Sequence, residues 1–370
     1  TATGTTTFAD GTTVTAWIHA GNPLGVLEIQ SKPPIVPVLN APAFGGMEEV
    51  EREGGIVAGE LAQLGYDPPN ETSGDQFTAY EQEGWGGFRF AVYVGWRRDE
   101  AAGKTTAIWT VASSFEDPNP MTLAKTRVEE ALDGDFAALR QKHLDWWQAF
   151  WDRTWLRVPN ARVERQWYLD TYKLGAAARP DAPPVSLQGP WTADDGKLPP
   201  WKGDYHHDLN TQMSYWPCYS GNWLEGEQGF VDWLWAYRDN CRAWTRKFFK
   251  MPGLAVPMTT DLECNQIGGW RQYTHSAMMG AWLAQHFYWH WKFSSDEAFL
   301  RERAYPYARE CAVFIEAVTN ERDANGLRTL PLSSSPEFYD NKPEAWFPTI
   351  TNHDLSLCRW LMQATAEMAD

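Results

Sequence analysis

No apolar run in this chain approaches the roughly 20 residues needed to cross a bilayer, so no segment reads as a membrane-spanning helix. Basic runs are absent too: 32 Lys and Arg stand against 48 Asp and Glu, a formal net charge of −16. With nothing to neutralise phosphates, nucleic acid and anionic membranes are poor partners, and a neutral substrate is easier to accept. Cysteine is scarce. Cys218, Cys241, Cys264, Cys311 and Cys358 all lie in the second half without paired ligand spacing, which argues against zinc or a disulfide framework. Four are expected to be buried helical thiols; Cys218 stays open because of its neighbours. The chain starts without Met, a charged n-region or an apolar h-region, so it is expected to begin after any signal peptide or within a domain. At the far end Leu357, Leu361, Ala364 and Met368 keep helical spacing to an uncapped stop, the pattern of a piece of a longer protein.

What the chain has in excess is aromatic surface: 22 Trp, 17 Phe and 14 Tyr in 370 residues. Most of these rings belong in a large core, but such wealth also fits a carbohydrate-active protein. The densest chemistry lies in Trp201–Asn222, WKGDYHHDLNTQMSYWPCYSGN, which is too polar to be expected in a core. Asp208 and Asn210 are two apart, so in an extended segment both would leave one face and could hold a water or hydroxyl between them. Flat apolar faces beside paired polar groups suit a pyranose ring, apolar on its C–H face and hydroxylated at its edge.

The length implies two or more domains. Up to about Ser114, β-branched stretches alternate with Gly and Pro. Phe88, Phe90, Val92 and Val94 alternating with Arg89, Ala91, Tyr93 and Gly95 predict a half-buried antiparallel sheet, with turns at Asp10-Gly11 and Gly86-Gly87. A β-sandwich is the natural solution, with Pro42–Pro69 as an insertion or long loop. From about Lys125 to Arg153 the period becomes helical, with Leu139, His143, Trp147, Phe150 and Trp151 on one face of a connector, and His143 expected as a packing residue. Beyond Val163 the regular segments read as helices: Val163–Ala178, Leu224–Phe249, His275–Trp291, Asp296–Val318 and the terminal one. In the second, Phe230, Leu234, Tyr237, Cys241, Trp244 and Phe248 trace one buried stripe.

A second constellation is Leu332-Ser333-Ser334-Ser335-Pro336-Glu337-Phe338-Tyr339. A carboxyl among aromatics is desolvated, its pKa rises, and it can serve as a general acid toward a glycosidic oxygen. A surface-loop Glu ahead of a helix is the plainer alternative.

YHHDLNTQMSYWP resembles the pattern YHxNINxQMNYWP of glycoside hydrolase family 95, the inverting α-L-fucosidases and their relatives. VSLQGPW…PPWKGDY is similar to that family's NLQGIW…PPW, and THSAMMGAWLAQHFYWHW to its GGAWLxxHxWEHY helix. FLRERAYP and SSSPE follow in order, and LRQKHLDWWQAFWDR is similar to the helix joining its two domains. The resemblance spans Leu139–Glu337.

It implies a multi-domain β plus α chain: an N-terminal antiparallel β-sandwich over 1–124, a helical linker over 125–160, and the first part of an (α/α)6 toroid over 161–370. The helices above are too few for a whole toroid. No metal or organic cofactor is implied, the expected partner is an oligosaccharide or polysaccharide, and a secreted or periplasmic location is favoured. Glu337 matches the general acid and Asn210 the second of two asparagines that position the attacking water. Asp208 stands where the family has the first asparagine. It either takes over part of the base role or binds a sugar hydroxyl and alters which sugar is accepted. His206 matches the histidine expected to bond sugar hydroxyls, while Gln212 and Trp216 match further motif positions. His207, Gln188, Trp191, Trp201 and His275 complete the candidate substrate contacts. Ser214 and the CYSGN stretch depart from the pattern, and the family's base carboxylate lies downstream of this chain.

The leading expectation is thus an exo-acting inverting hydrolase releasing a terminal α-linked L-fucose or a related sugar such as L-galactose. A toroid polysaccharide lyase and a non-catalytic sugar-binding relative are the rivals. The acidic composition suits a uronate substrate poorly.

Overall fold

The computed structural model describes residues 1–46, 60–189, 197–198, 200–267, 276–334, 338–339 and 342–370. The backbone divides into two compact units, Thr1–Trp155 with Ala193–Leu198, and Leu156–Thr192 with Pro199–Asp370.

In the first unit, strands β1 (Gly4–Thr7), β2 (Thr13–Ile18), β3 (Gly25–Gln30), β4 (Asn70–Gly74), β5 (Phe77–Glu83), β6 (Arg89–Asp99) and β7 (Lys104–Ser113) form one antiparallel sheet in the order β1-β2-β3-β7-β6-β5-β4. The expected glycine turns are present: Gly11 has φ 85°, and Gly86 and Gly87 have φ 68° and 84°, values that cost a side chain strain. Helix α1 (Pro120–Asp133) lies on β6 and β7. Its Ala124 and Val128 close a core with Trp17, Val26, Ala91, Tyr93 and Ile108. The face of β6 under the helix therefore carries Ala91, Tyr93 and Gly95, while Phe90 and Val92 are only half-buried. The reason is steric: a Cβ on Gly95 would lie 2.9 Å from Val128 Cγ1 and 3.0 Å from Leu132 Cδ1, so the small residues admit the helix. The other face is closed by Val94, Trp96 and Ala107 against Leu27, Val36 and Leu39.

Helix α2 (Phe136–Trp151) begins where the Asp135 carboxylate accepts from Ala138 N at 3.0 Å. It buries His143, Trp147 and Phe150, as the period predicts. The His143 ring is 4.8 Å from Trp17, and its Nε2 is 2.9 Å from the Thr1 carbonyl, a packing role.

The second unit is helical: α3 (Ala161–Ala177), α4 (Asn210–Ser220), α5 (Leu224–Ala236), α6 (Arg238–Phe248), α7 (Met279–Ser294), α8 (Tyr305–Val318) and α9 (Asn352–Ala369). Short strand pairs β8 (Tyr205–His206) with β9 (Thr259–Thr260), and β10 (Ser333–Ser334) with β11 (Trp346–Phe347), connect them. Phe230, Leu234, Leu283, Phe287, Tyr307, Phe314 and Leu361 anchor one continuous core. Three sequence expectations change here. The segment after Asp208, read as extended, is helix α4. The helix expected over Leu224–Phe249 breaks at Tyr237 (φ −96°, ψ 11°), where the Arg238 guanidinium donates to the Trp235 carbonyl and stacks 3.9 Å from the Trp235 ring. The helix expected from Asp296 passes through a π-turn at Leu300–Ala304, beside Pro306, which has no N–H to donate. In α9, Leu357, Leu361, Ala364 and Met368 form the buried stripe read from the sequence. No helix among the described residues is long and apolar enough to cross a membrane.

Candidate active site

The Trp201–Asn222 segment folds as turn, strand, turn and helix. Backbone pairing of Tyr205 with Thr260 and His206 with Thr259, extended by the His207 N–H donating to Met258 O at 2.8 Å, fixes its entry. The chain then turns through Asp208 and Leu209 (φ −165°, ψ −54°) into α4, whose first residue is Asn210. Asp208 and Asn210 thus flank a helix N-terminus rather than lie along a strand. The unpaired N–H groups of that first turn favour an anion or an electron-rich oxygen. Asp208 is nearly buried and Asn210 is exposed.

A second loop is tied to the same place. Tyr205 Oη donates to Pro184 O at 3.1 Å, Val185 N–H to Tyr215 Oη at 2.7 Å, and Leu187 N–H to Asp204 O at 2.9 Å. These bonds hold the Ser186–Gly189 turn, which carries half-buried Gln188, against the motif. Trp201, at φ 58°, sets its ring edge-on to His206 at 5.7 Å. The His206 Nδ1 lies 2.6 Å from a carboxylate oxygen of Asp204, itself buried. Asp204, an acceptor-only carboxylate when ionised, thus places a hydrogen on Nδ1 and orients the ring. Asp204 was not singled out from the sequence, although an acid two residues before a motif histidine was the signal available.

His207 and Gln212, also candidates for sugar contact, lie wholly inside the protein. His207 Nε2 is 3.0 Å from Thr260 Oγ1, and burial pulls its pKa down to about 3, so the ring is neutral. The Gln212 amide N–H donates to the His207 carbonyl. Much of the segment judged too polar for a core is in fact core, with His207 and Gln212 among its buried polar residues. Trp216 is half-buried, and its Nε1 has no partner among the described residues. Cys218 is fully buried, and burial followed by the nearby Glu227 pushes its thiol well up, so it is inert as ligand or nucleophile.

Glu337, Trp191 and His275 lie outside the described residues. The strand leading to Glu337 is anchored: Ser333 pairs with Phe347, and its hydroxyl donates to buried Asp354, which also closes the capping box of α9 with Thr351. Phe338 and Tyr339, expected to desolvate Glu337, are 60% and 54% exposed. Among the described residues no cluster of His, Cys, Asp and Glu could hold a metal.

With this arrangement in view, the family model described as glycosyl hydrolase family 95 catalytic domain matches residues 163–370, more than half of the chain. The chain belongs to glycosyl hydrolase family 95. This family 95 chain is 29% identical to alpha-L-fucosidase 2 of Arabidopsis thaliana over 183 residues, 49% of its own length and 21% of the relative's. It is 25% identical over 260 residues to the protein named "Probable alpha-fucosidase A" of Aspergillus niger, 60% of this chain and 31% of that one. The chain therefore spans less than a third of the length of either relative. In fold it is similar to a solved structure titled "Putative kojibiose phosphorylase from human microbiome", at TM-score 0.70 and 12% identity, covering 99% of this chain and 50% of that one. The family 95 chain accordingly fits the expected fold class, an N-terminal antiparallel β domain followed by the helices of an (α/α)6-type domain.

Proposed function

We propose that the protein to which this chain belongs is an exo-acting glycoside hydrolase that releases a terminal α-linked L-fucose, or a related sugar such as L-galactose, by single displacement with inversion. Family membership and the names of its relatives support the substrate class. The observation that supports the reading is the braced turn at the α4 N-terminus, which carries Asp208 and Asn210 directly after His206, a residue held by Asp204.

In this reading Glu337 protonates the departing glycosidic oxygen. A water held by the Asn210 amide and the Asp208 carboxylate attacks the anomeric carbon from the opposite face, with the two carboxyls about 6.5–9.5 Å apart to admit it. His206 Nε2 accepts from a sugar hydroxyl, and Trp201 and the Gln188 turn border the ring. His207 and Gln212 act from behind, by holding the turn. Domain limits of 1–124, 125–160 and 161–370 belong to the same proposal.

The test is hydrolysis of an α-1,2-fucosylated oligosaccharide by the full-length protein, with the anomeric protons followed by NMR from the earliest minutes. Initial release of β-L-fucose supports the reading; initial release of the α-anomer refutes inversion, and no release refutes the substrate. Glu337→Gln is expected to abolish turnover while leaving sugar binding intact. Asp208→Asn separates its two roles: loss of hydrolysis assigns it to the base, and retained hydrolysis with a changed sugar preference assigns it to recognition.

A further inference from the structure

Behind the turn, three helices bring together a polar cluster to which neither the motif reading nor the proposed chemistry gives a role. Tyr219 of α4, Glu227 of α5, and His286 and His290 of α7 are all buried, Glu227 and His286 completely. Gln212 links them to the turn, because its N–H donates to the His207 carbonyl, the residue before Asp208.

The contacts allow a count of protons. With its NH2 directed at His207 O, Gln212 presents Oε1 to His286 Nε2 at 3.2 Å, so that nitrogen must carry hydrogen. A neutral His286 then has a bare Nδ1, which accepts the Tyr219 hydroxyl proton across 2.6 Å. Tyr219 has no second proton, yet its oxygen also lies 2.8 Å from Glu227 Oε1. Glu227 Oε2 accepts from His290 Nδ1–H at 2.7 Å. The His286 Nε2–H, the Tyr219 hydroxyl and the His290 Nδ1–H thus bring three protons to these four contacts.

We propose that Glu227 is a neutral carboxylic acid whose proton completes a buried chain, Glu227–Tyr219–His286–Gln212, that positions the His207–Asp208 turn and with it the residues that hold the attacking water. The other home for the extra proton is an imidazolium at His286. Burial, followed by the neighbouring His207, pulls that ring down to about 3, which excludes it near neutrality. Burial raises Glu227, and it outweighs the His290 and Tyr219 bonds that favour the carboxylate; Asp232 on its own helix adds to the rise. Burial also keeps the Tyr219 hydroxyl and the nearby Cys218 thiol protonated. Each of the short contacts along Glu227–Tyr219–His286–Gln212 then has one proton, without a buried net charge in that chain, the condition under which such a network is rigid. Glu227, Tyr219 and His286 are positioning residues: none lies in the turn, and each acts on it through Gln212.

The positioning role rests on the hydrolase reading, whereas the protonation state does not. An infrared difference spectrum of the full-length protein near neutral pH, wild type minus Glu227→Gln, is expected to show one protonated-carboxyl band belonging to the wild type; its absence overturns the proposal even if the enzyme is active. In kinetics, Glu227→Gln keeps a donor for Tyr219 and an acceptor for His290 and is expected to retain the larger part of kcat. Tyr219→Phe and Glu227→Leu are expected to lose about tenfold or more in kcat, with KM within about threefold, as misplacement of the water side requires. Should Glu227→Leu not fold, Tyr219→Phe carries the comparison, since it removes only an oxygen. Equal kcat in wild type and Tyr219→Phe overturns the positioning role. If the wild type hydrolyses no fucoside, the proposed function fails while the infrared band still decides the state of Glu227.

Discussion

A neutral Glu227 makes a definite prediction about how stability varies with pH. Unfolded, His207 and His286 titrate near 6.5 and Glu227 near 4.5. Folded, both histidines are depressed to about 3 by burial, and Glu227 is raised. The histidine contributions are present above 6.5 and are lost as pH falls toward 3; the Glu227 contribution is full below 4.5 and is lost as pH rises through its folded value. With Glu227 neutral as proposed, the native state between pH 4.5 and 6.5 holds one proton at these three sites, and the unfolded state holds about two, on the histidines. At these three sites unfolding takes up one proton, which contributes a fall in stability of about 1.4 kcal/mol per unit of acidification; His143 and His353, also lowered by burial, add the same slope in both proteins. In Glu227→Gln the native state holds none and the uptake is two, about 2.7 kcal/mol per unit. The groups facing Glu227, namely Tyr219, Cys218, Asp232, His286 and His290, are the same in both proteins, so the difference in slope isolates one proton. Urea unfolding followed by tryptophan fluorescence at steps across that pH range measures it. Equal slopes in the two proteins would mean that Glu227 is already ionised in the native state, and the proton count would be wrong.

Other predictions rest on separate contacts. Asp204→Asn replaces the acceptor at His206 Nδ1, 2.6 Å away, with a group that can donate, which turns the imidazole to the other tautomer; kcat/KM is expected to fall about tenfold or more, consistent with the roughly 1.5–3 kcal/mol of a charge-assisted hydrogen bond, and an unchanged value would remove His206 from the site. Asp354→Ala loses the α9 capping box and the Ser333 bond together. A loss of about 1–3 kcal/mol in chemical denaturation is expected, along with a lower kcat because the β10–β11 pair leads to Glu337. Gly95→Val drives a side chain into Val128 and Leu132; it should lower the stability of the β unit by about 1–3 kcal/mol, measured by calorimetry, while leaving the sugar affinity of the helical unit intact.

The sequence alone determined whatever depends on local period and on the identity of residues in order. Strand alternation and glycine turns placed the sheet, the 3.6-residue period placed the α2 and α9 faces, and the ordered motifs placed the family. These signals are local because backbone geometry repeats over a few residues. Helix α4 was hidden because its sequence, NTQMSYWPCYS, mixes polar and aromatic residues around an internal proline and shows no clean apolar stripe. The buried face of β6 was decided by a helix that needs Gly95 beneath it. Glu227, Tyr219 and His286 lie on three helices and carry no mark of partnership along the chain. Only packing put them within hydrogen-bonding distance and away from water, and it is desolvation, a property of the tertiary structure, that determines where the proton of such a cluster resides.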